Sequence, residues 1–333
     1  MKAMFLAKSG FSLRDPKYKD SIDNLISILQ GFQAVYTSPE LYKECKKEKI
    51  KAVALEKSHG KDGNQYVQDI NEMVSHCLKE QVDVYITAGG DGTVSYVASS
   101  TIVNSHNRTF RPMFIGFPAG TANAGPIVRR LGTGDMKDLT MVKIDAIEVT
   151  DGDEIIGYGF NDVIIGDTFL GTVDSKMVNL SARAMALYGT VEIARPGTRI
   201  TEADFQATLN GNVIRTGGPV RQICVSTMQF DKVGMRAVFG GLLNSVGDEH
   251  PAAAAFIDRI IVDSDPASWN YRGPVKTTHV CFTERDVLEI SGLGEDAQII
   301  IDGNPFIRNS DRLSFRIVPW ACTALWDMGE KGR

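Results

Sequence analysis

The apolar run Val82 to Thr87 ends in Gly89-Gly90-Asp91-Gly92-Thr93, and helical spacing resumes from Val94 to Val103. A buried strand that leaves its sheet through glycines and passes straight into a helix fits a parallel, helix-flanked sheet. Glycines accept positive φ angles and let the backbone come close to a ligand. Their N–H groups, with a helix N-terminus behind them, make a ready anion site. An Asp inside a phosphate loop is electrostatically unfavourable unless it has a task. It could hold Mg²⁺ directly or through water, or accept a proton from an attacking hydroxyl. The residues by themselves equally permit a tight strand-to-helix turn with no ligand.

The same strand and helix alternation precedes this turn. Ala3 to Ala7 reads as a first strand, Ser21 to Leu29 as a helix with apolar positions at 22, 25, 26 and 29, and Val35-Tyr36 as the start of a second strand. Tyr66 to Lys79 is again helical in spacing, and Met113 to Phe117 is a strand. A second glycine turn, Phe117-Pro118-Ala119-Gly120-Thr121-Ala122-Asn123, lies before a helix-like stretch ending near Leu131-Gly132. Two such turns at the carboxyl ends of successive strands could face one crevice, where open α/β sheets bind ligands. The expected first domain is therefore residues 1–142, an α/β nucleotide-binding unit with a Rossmann-like parallel sheet.

After Lys143 the pattern changes to short strands separated by Asp151-Gly152, Asn210-Gly211, Gly217-Gly218 and Asp302-Gly303. Such turns mark antiparallel β structure, so residues 143–317 are expected to form a β-rich second domain. One embedded helix is expected from Ser175 to Leu187, and a shorter one starting at Pro251. Met177, Met185 and Leu187 read as core. Phe239 to Asn244 reads as a plain loop or a lid, and Trp269 to Pro274 as a surface loop that could stack a base or sugar.

Length and charge narrow the partners. A chain of 333 residues is long enough for two domains. Its net charge of -5 argues against a non-specific nucleic-acid binder. No apolar run approaches the roughly 18 residues that span a bilayer, and Lys8 interrupts the N-terminal one before a signal-peptide core forms. The five cysteines are odd in number and include no C-x-x-C pair, which fits reduced thiols and a cytoplasmic protein without structural zinc.

Gly89 to Thr93 matches the Gly-Gly-Asp-Gly-Thr signature of the superfamily of NAD kinases, diacylglycerol kinases and sphingosine kinases, and Gly120-Thr121-Ala122-Asn123 resembles its Gly-Thr-x-Asn segment. Phe160 to Ile165 is similar to the Asn-Glu-x-x-x segment of NAD kinases, with Asp162 for Glu. Through Asn161 and Gly166 it is also similar to the Asn-x-x-x-x-Gly segment of the lipid kinases. Asp302-Gly303-Asn304 resembles the late Asp-Gly-Glu/Gln of both. Pro118 before the second turn looks most like the divergent ATP-NAD kinase-like proteins of the acetoin-catabolism type. Two departures stand out. The Thr-x-Thr-Gly-Ser-Thr-Ala-Tyr segment of NAD kinases is missing, with Ser226-Thr227-Met228 in its region. Lys8-Ser9-Gly10 stands where lipid kinases have Asn-Pro-x-Ser-Gly.

The resemblance implies an α/β domain and an all-β sandwich, with residues 318–333 packing back on the first domain and an active site in the cleft between them. It implies a phosphotransferase moving a phosphoryl group from ATP, or another donor such as polyphosphate, to a small acceptor. NAD leads, a lipid hydroxyl is the enzyme alternative, and a catalytically silent nucleotide-binding regulator is the other. Gly89, Gly90, Gly92 and Thr93 would handle nucleotide phosphates. Asp91 would be catalytic, with Mg²⁺ between it and the phosphates. Gly120, Thr121 and Asn123 would line the nucleotide site, Asn161 and Asp162 would hold ribose or base hydroxyls, and Asp302 would shape the cleft. A homo-oligomer is expected.

Overall fold

A computed structural model describes residues 1–55, 65–105, 110–120, 123, 125–174, 176–194, 199–229, 250–261, 264 and 275–328. The chain divides into two compact units, Met1–Ile144 with Trp320–Arg333, and Asp145–Pro319.

The first unit runs β1 (Lys2–Ala7), α1 (Lys19–Gln30), β2 (Ala34–Thr37), α2 (Pro39–Lys47), β3 (Ala52–Ala54), α3 (Gln65–Lys79), β4 (Val84–Gly89), α4 (Asp91–Asn104) and β5 (Met113–Pro118). These strands pair in parallel, in the order β3-β2-β1-β4-β5. On one face, Phe5, Val35, Ile86 and Ile115 pack against Ile22, Leu25 and Leu29 of α1 and Leu41 and Cys45 of α2. On the other, the Tyr85 hydroxyl donates to the Val74 carbonyl of α3 at 3.5 Å, and the Tyr85 and Phe114 rings meet edge to face. Helix α4 has no apolar stripe, because it is buried almost all round from Val94 to Ile102. Its Ser100 hydroxyl donates to Asn71 of α3 at 2.6 Å, and its Thr101 hydroxyl donates to the Val97 carbonyl one turn back at 2.7 Å. The sheet is doubly wound, and its order reverses between β1 and β4. That reversal creates a crevice beyond their carboxyl ends.

The remaining elements are β6 (Leu139–Asp151), β7 (Glu154–Gly159), β8 (Val163–Gly166), β9 (Thr168–Val173), β10 (Lys176–Ser181), α5 (Ala182–Tyr188), β11 (Thr201–Leu209), β12 (Asn212–Thr216), β13 (Gln222–Thr227), β14 (Pro251–Ile257), β15 (Thr277–Thr283), β16 (Leu288–Leu293), β17 (Gln298–Ile301), β18 (Asn304–Phe306) and β19 (Leu313–Asp327). In the second unit the pairing is antiparallel. A six-stranded sheet, β15-β14-β13-β8-β17-β18, faces a sheet containing β12-β11-β16-β19. Strand alternation sorts the six-stranded sheet between two cores. Val163, Ile223, Ala254 and Ile299 join Phe205, Leu288 and Phe315 of the facing sheet. Ile164, Cys224, Ala253 and Ile300 face the other way and meet Phe169, Leu180 and Ala182 from the β9–β10 hairpin and α5. This is the expected β sandwich with one extra layer. The last strand serves both units: Leu313 to Phe315 pair with β16, and Thr323 and Ala324 pair in parallel with β5.

Four local expectations are corrected. Residues 176–181 form strand β10 rather than the first half of a helix. The chain turns helical only after Ser181, whose hydroxyl caps the amide of Ala184. Met177 and Leu187 therefore lie on the surface, 48% and 40% exposed, and are not core. Pro251 opens strand β14, not a helix. The alanines that follow lie between β13 and β15 with both faces covered, and sheet pairing overrides their helical propensity. Finally, described residues 125–132 contain no helix. Pro126 follows the turn, Val128 bridges to Gly116, and the Arg129 amide donates to the Gly116 carbonyl at 2.9 Å, so the chain runs extended beside β5. The second glycine turn thus lacks a helix dipole behind it. Thr121 and the segments 239–244 and 269–274 lie outside the described residues.

Candidate active site

The two glycine turns of the first unit touch. Strand pairing carries Gly89 beside Pro118, and the Ala119 amide donates to the Gly89 carbonyl at 2.9 Å. Beyond that bond the loops press together without side chains. A Cβ on Gly120 would stand 2.2 Å from the Gly90 Cα, and one on Gly89 would stand 2.7 Å from the Thr93 Cβ. Asn123 has a left-handed φ of 52° and folds its amide back on the turn: Oδ1 accepts the Gly120 N–H, and Nδ2 donates to the Gly120 carbonyl, both at 2.9 Å. Asn123 thus shapes the loop through its side chain.

Asp91 is the first residue of α4, with Gly90 at the N-cap. There the helix dipole favours its negative charge. Its Oδ1 accepts the Gly125 N–H at 2.7 Å, and the carboxylate, Gly92 and Thr93 are all partly exposed. Next to it lies a group that sequence reasoning missed. Arg129 Nη1 donates to the carbonyls of Gly125 and Val128, each at 3.0 Å, and the guanidinium stacks 4.5 Å from the Trp326 ring centroid. Burial pushes the Arg129 pKa down, against the opposing pull of the Asp91 charge. The pair Arg129-Arg130 before Leu131-Gly132 was the only local signal.

A cavity of about 1030 Å³ opens at the carboxyl ends of β1, β2 and β3. Lys8, Ser9 and Gly10 line it on the β1 side, Ser38 lies at the end of β2, and Asp69 and His76 come from α3. The Lys8 amide donates to the Ala88 carbonyl at 2.8 Å, which places this loop beside the Gly89 turn. Burial pushes the Lys8 ammonium below its ordinary value, and the nearby Lys17 charge pushes the same way. The Asp15 charge opposes both effects.

The second unit gathers Asn161, Asp162 and Asp302. Asp302 is 4% exposed and has a left-handed φ of 47°. Its Oδ2 accepts the Phe160 N–H at 2.7 Å, and its Oδ1 accepts those of Asn161 and Asp162 at 2.7 and 2.8 Å. A carboxylate gripping three successive amides is an anchor for the turn that carries Asn161 and Asp162. Those two side chains meet at 2.6 Å, and the Ser226 hydroxyl donates to the Asn161 carbonyl at 2.6 Å. Both side chains are partly exposed.

Residues 35–151 match the diacylglycerol kinase catalytic domain. That match spans the stretch that holds both glycine turns, in line with the superfamily resemblance read from the glycine signature, while nothing singles out the acetoin-catabolism type. An uncharacterised protein of Archaeoglobus fulgidus is 28% identical over 265 residues, covering 76% of this chain and 77% of that one. The crystal structure of yeast NADH kinase complexed with NADH is similar at a TM-score of 0.49 and 11% identity, covering 98% of this chain and 82% of that one. Among the described residues, no helix is long and apolar enough to cross a membrane.

Proposed function

We propose that this protein transfers a phosphoryl group from ATP to a hydroxyl of a small acceptor, NAD first among them. The observation that carries this reading is Asp91. It is a partly exposed carboxylate, fixed through one oxygen by Gly125, in a glycine loop at the carboxyl end of β4. Asp91 orients the acceptor hydroxyl and takes its proton as the new O–P bond forms, and the bond to the departing nucleoside diphosphate breaks. The amides of Gly90, Gly92 and Thr93 at the start of α4 suit phosphate oxygens. The cavity beside Lys8 is large enough for a nucleotide, with Lys8 to meet its phosphates.

No cluster of three or more His, Cys, Asp or Glu side chains suited to a metal occurs among the described residues. That is compatible with Mg²⁺, which often takes only one or two carboxylates and completes its shell with phosphate oxygens and water. Asp91 is the residue to hold it, and the ion would neutralise charge on the transferred group. In the second unit, Asn161 and Asp162 are the candidates for acceptor hydroxyls, steadied by Asp302.

One observation favours a lipid acceptor as the second reading. Tyr188, Val191 and Ile193, close in sequence to the exposed Leu187, are 69%, 58% and 72% exposed, apolar side chains suited to an acyl chain. A screen with γ-labelled ATP and Mg²⁺ separates the readings. Label in NADP supports the first, and label in the chloroform-extractable fraction supports the second. Nucleotide binding without transfer to any acceptor would overturn both and leave a regulator.

A further inference from the structure

We propose that Arg129 is a positioning residue for phosphoryl transfer, holding the Asp91 carboxylate in one orientation through Gly125, with Trp326 as its platform. The inference rests on the reading of Asp91 as the group that takes the acceptor's proton. Gly125 is gripped at both ends: its N–H donates to Asp91 Oδ1 at 2.7 Å, and its carbonyl accepts from Arg129 Nη1 at 3.0 Å. There is no slack at this residue, since a Cβ on Gly125 would stand 2.8 Å from the Asp91 Oδ1. Arg129 is itself fixed from three sides, by the Val128 carbonyl, by the Trp326 ring, and by its own amide donating to Gly116 of β5. The planar guanidinium can stack and bond to both carbonyls at once, which a lysine ammonium cannot do in the same geometry. The carboxylate is thus braced against β5 and the last strand. Displacement of a reacting group by about 1 Å can cost on the order of 10²-fold in rate.

The test uses the full chain with ¹⁵N-labelled glycine, the Gly125 resonance being assigned by its loss in Gly125→Ala. In Arg129→Met the Gly125 amide should shift and exchange with solvent about tenfold faster or more, because the turn is no longer held. Turnover should fall about 10- to 100-fold while the nucleotide KM stays within about threefold, the mark of lost orientation rather than lost binding. Arg129→Lys should stay impaired, Trp326→Phe should keep most activity, and Trp326→Ala should not. If Arg129→Met fails to fold, Arg129→Lys and Trp326→Ala carry the same two readouts. An unchanged Gly125 amide together with unchanged turnover in these variants overturns the proposal. If the unaltered protein phosphorylates no acceptor, the functional reading fails, and the Gly125 amide alone still decides whether Arg129 braces Asp91.

Discussion

Gly120 packs its bare α-carbon against that of Gly90, so closely that a Cβ at 120 would lie 2.2 Å away. This contact sets the spacing of the two loops. Gly120→Ala must push them apart, at about 1–3 kcal/mol of stability, and turnover should fall with it. Gly211→Ala is the control: its φ of 77° brings left-handed strain of about 1–2 kcal/mol, but its Cβ would meet open space. Thermal unfolding and turnover measured on both variants should show activity lost in the first and kept in the second.

Asp91→Asn removes the base and keeps an oxygen able to accept the Gly125 N–H. Phosphoryl transfer should drop by about 10²- to 10⁴-fold. Stability should change by less than about 1 kcal/mol, because the hydrogen bond survives. Steady-state kinetics on folded protein check this, and normal turnover would remove Asp91 from the mechanism.

Asp302 illustrates a motif whose chemistry differs from its first appearance. Asp302→Ala would strand the amides of Phe160, Asn161 and Asp162, at about 3 kcal/mol or more. Asp302→Asn keeps one acceptor and should cost less. Urea unfolding ranks the two, and an Asp302→Ala protein of full stability but no activity would argue for a direct role in chemistry.

Acid should loosen one defined corner. The Thr283 amide above all, with the Asn210 side chain and the Thr283 hydroxyl, holds the Asp286 pKa below the ordinary carboxylate value. A depressed folded pKa contributes stability that is fully present above the unfolded value of about 3.9 and is lost as pH falls through the folded one. Asp286→Asn should therefore be less stable than the unaltered protein at neutral pH, and the gap should close at pH values below the ordinary carboxylate range. Denaturation midpoints of both proteins across acidic pH follow it.

Much of this architecture is legible in the sequence because it is written in local periodicity. The apolar spacing of Ser21 to Leu29 and Tyr66 to Lys79, and the run ending at Gly89, all appear as the elements they suggest. Where neighbours distant in sequence decide, local reading fails. The alanines after Pro251 favour a helix until β13 and β15 close on both sides. Asn123 and Asp302 are conspicuous in sequence, yet only the hydrogen bonds reveal that they shape turns. Arg129 is marked locally only by the pair it makes with Arg130, and its partner Trp326 lies in the last strand.

That placement has a consequence for how the molecule comes into being. On the ribosome, Met113 and Phe114 at the start of β5 gain their outer neighbour only when Thr323 and Ala324 emerge, and Trp326 follows directly. At roughly 5–20 residues per second, the wait after Met113 is on the order of 10–40 s. Through that interval the growing chain has both glycine loops but not the ring on which Arg129 stacks. The brace behind Asp91 would therefore form only once Trp326 has been made, long after the loops it steadies.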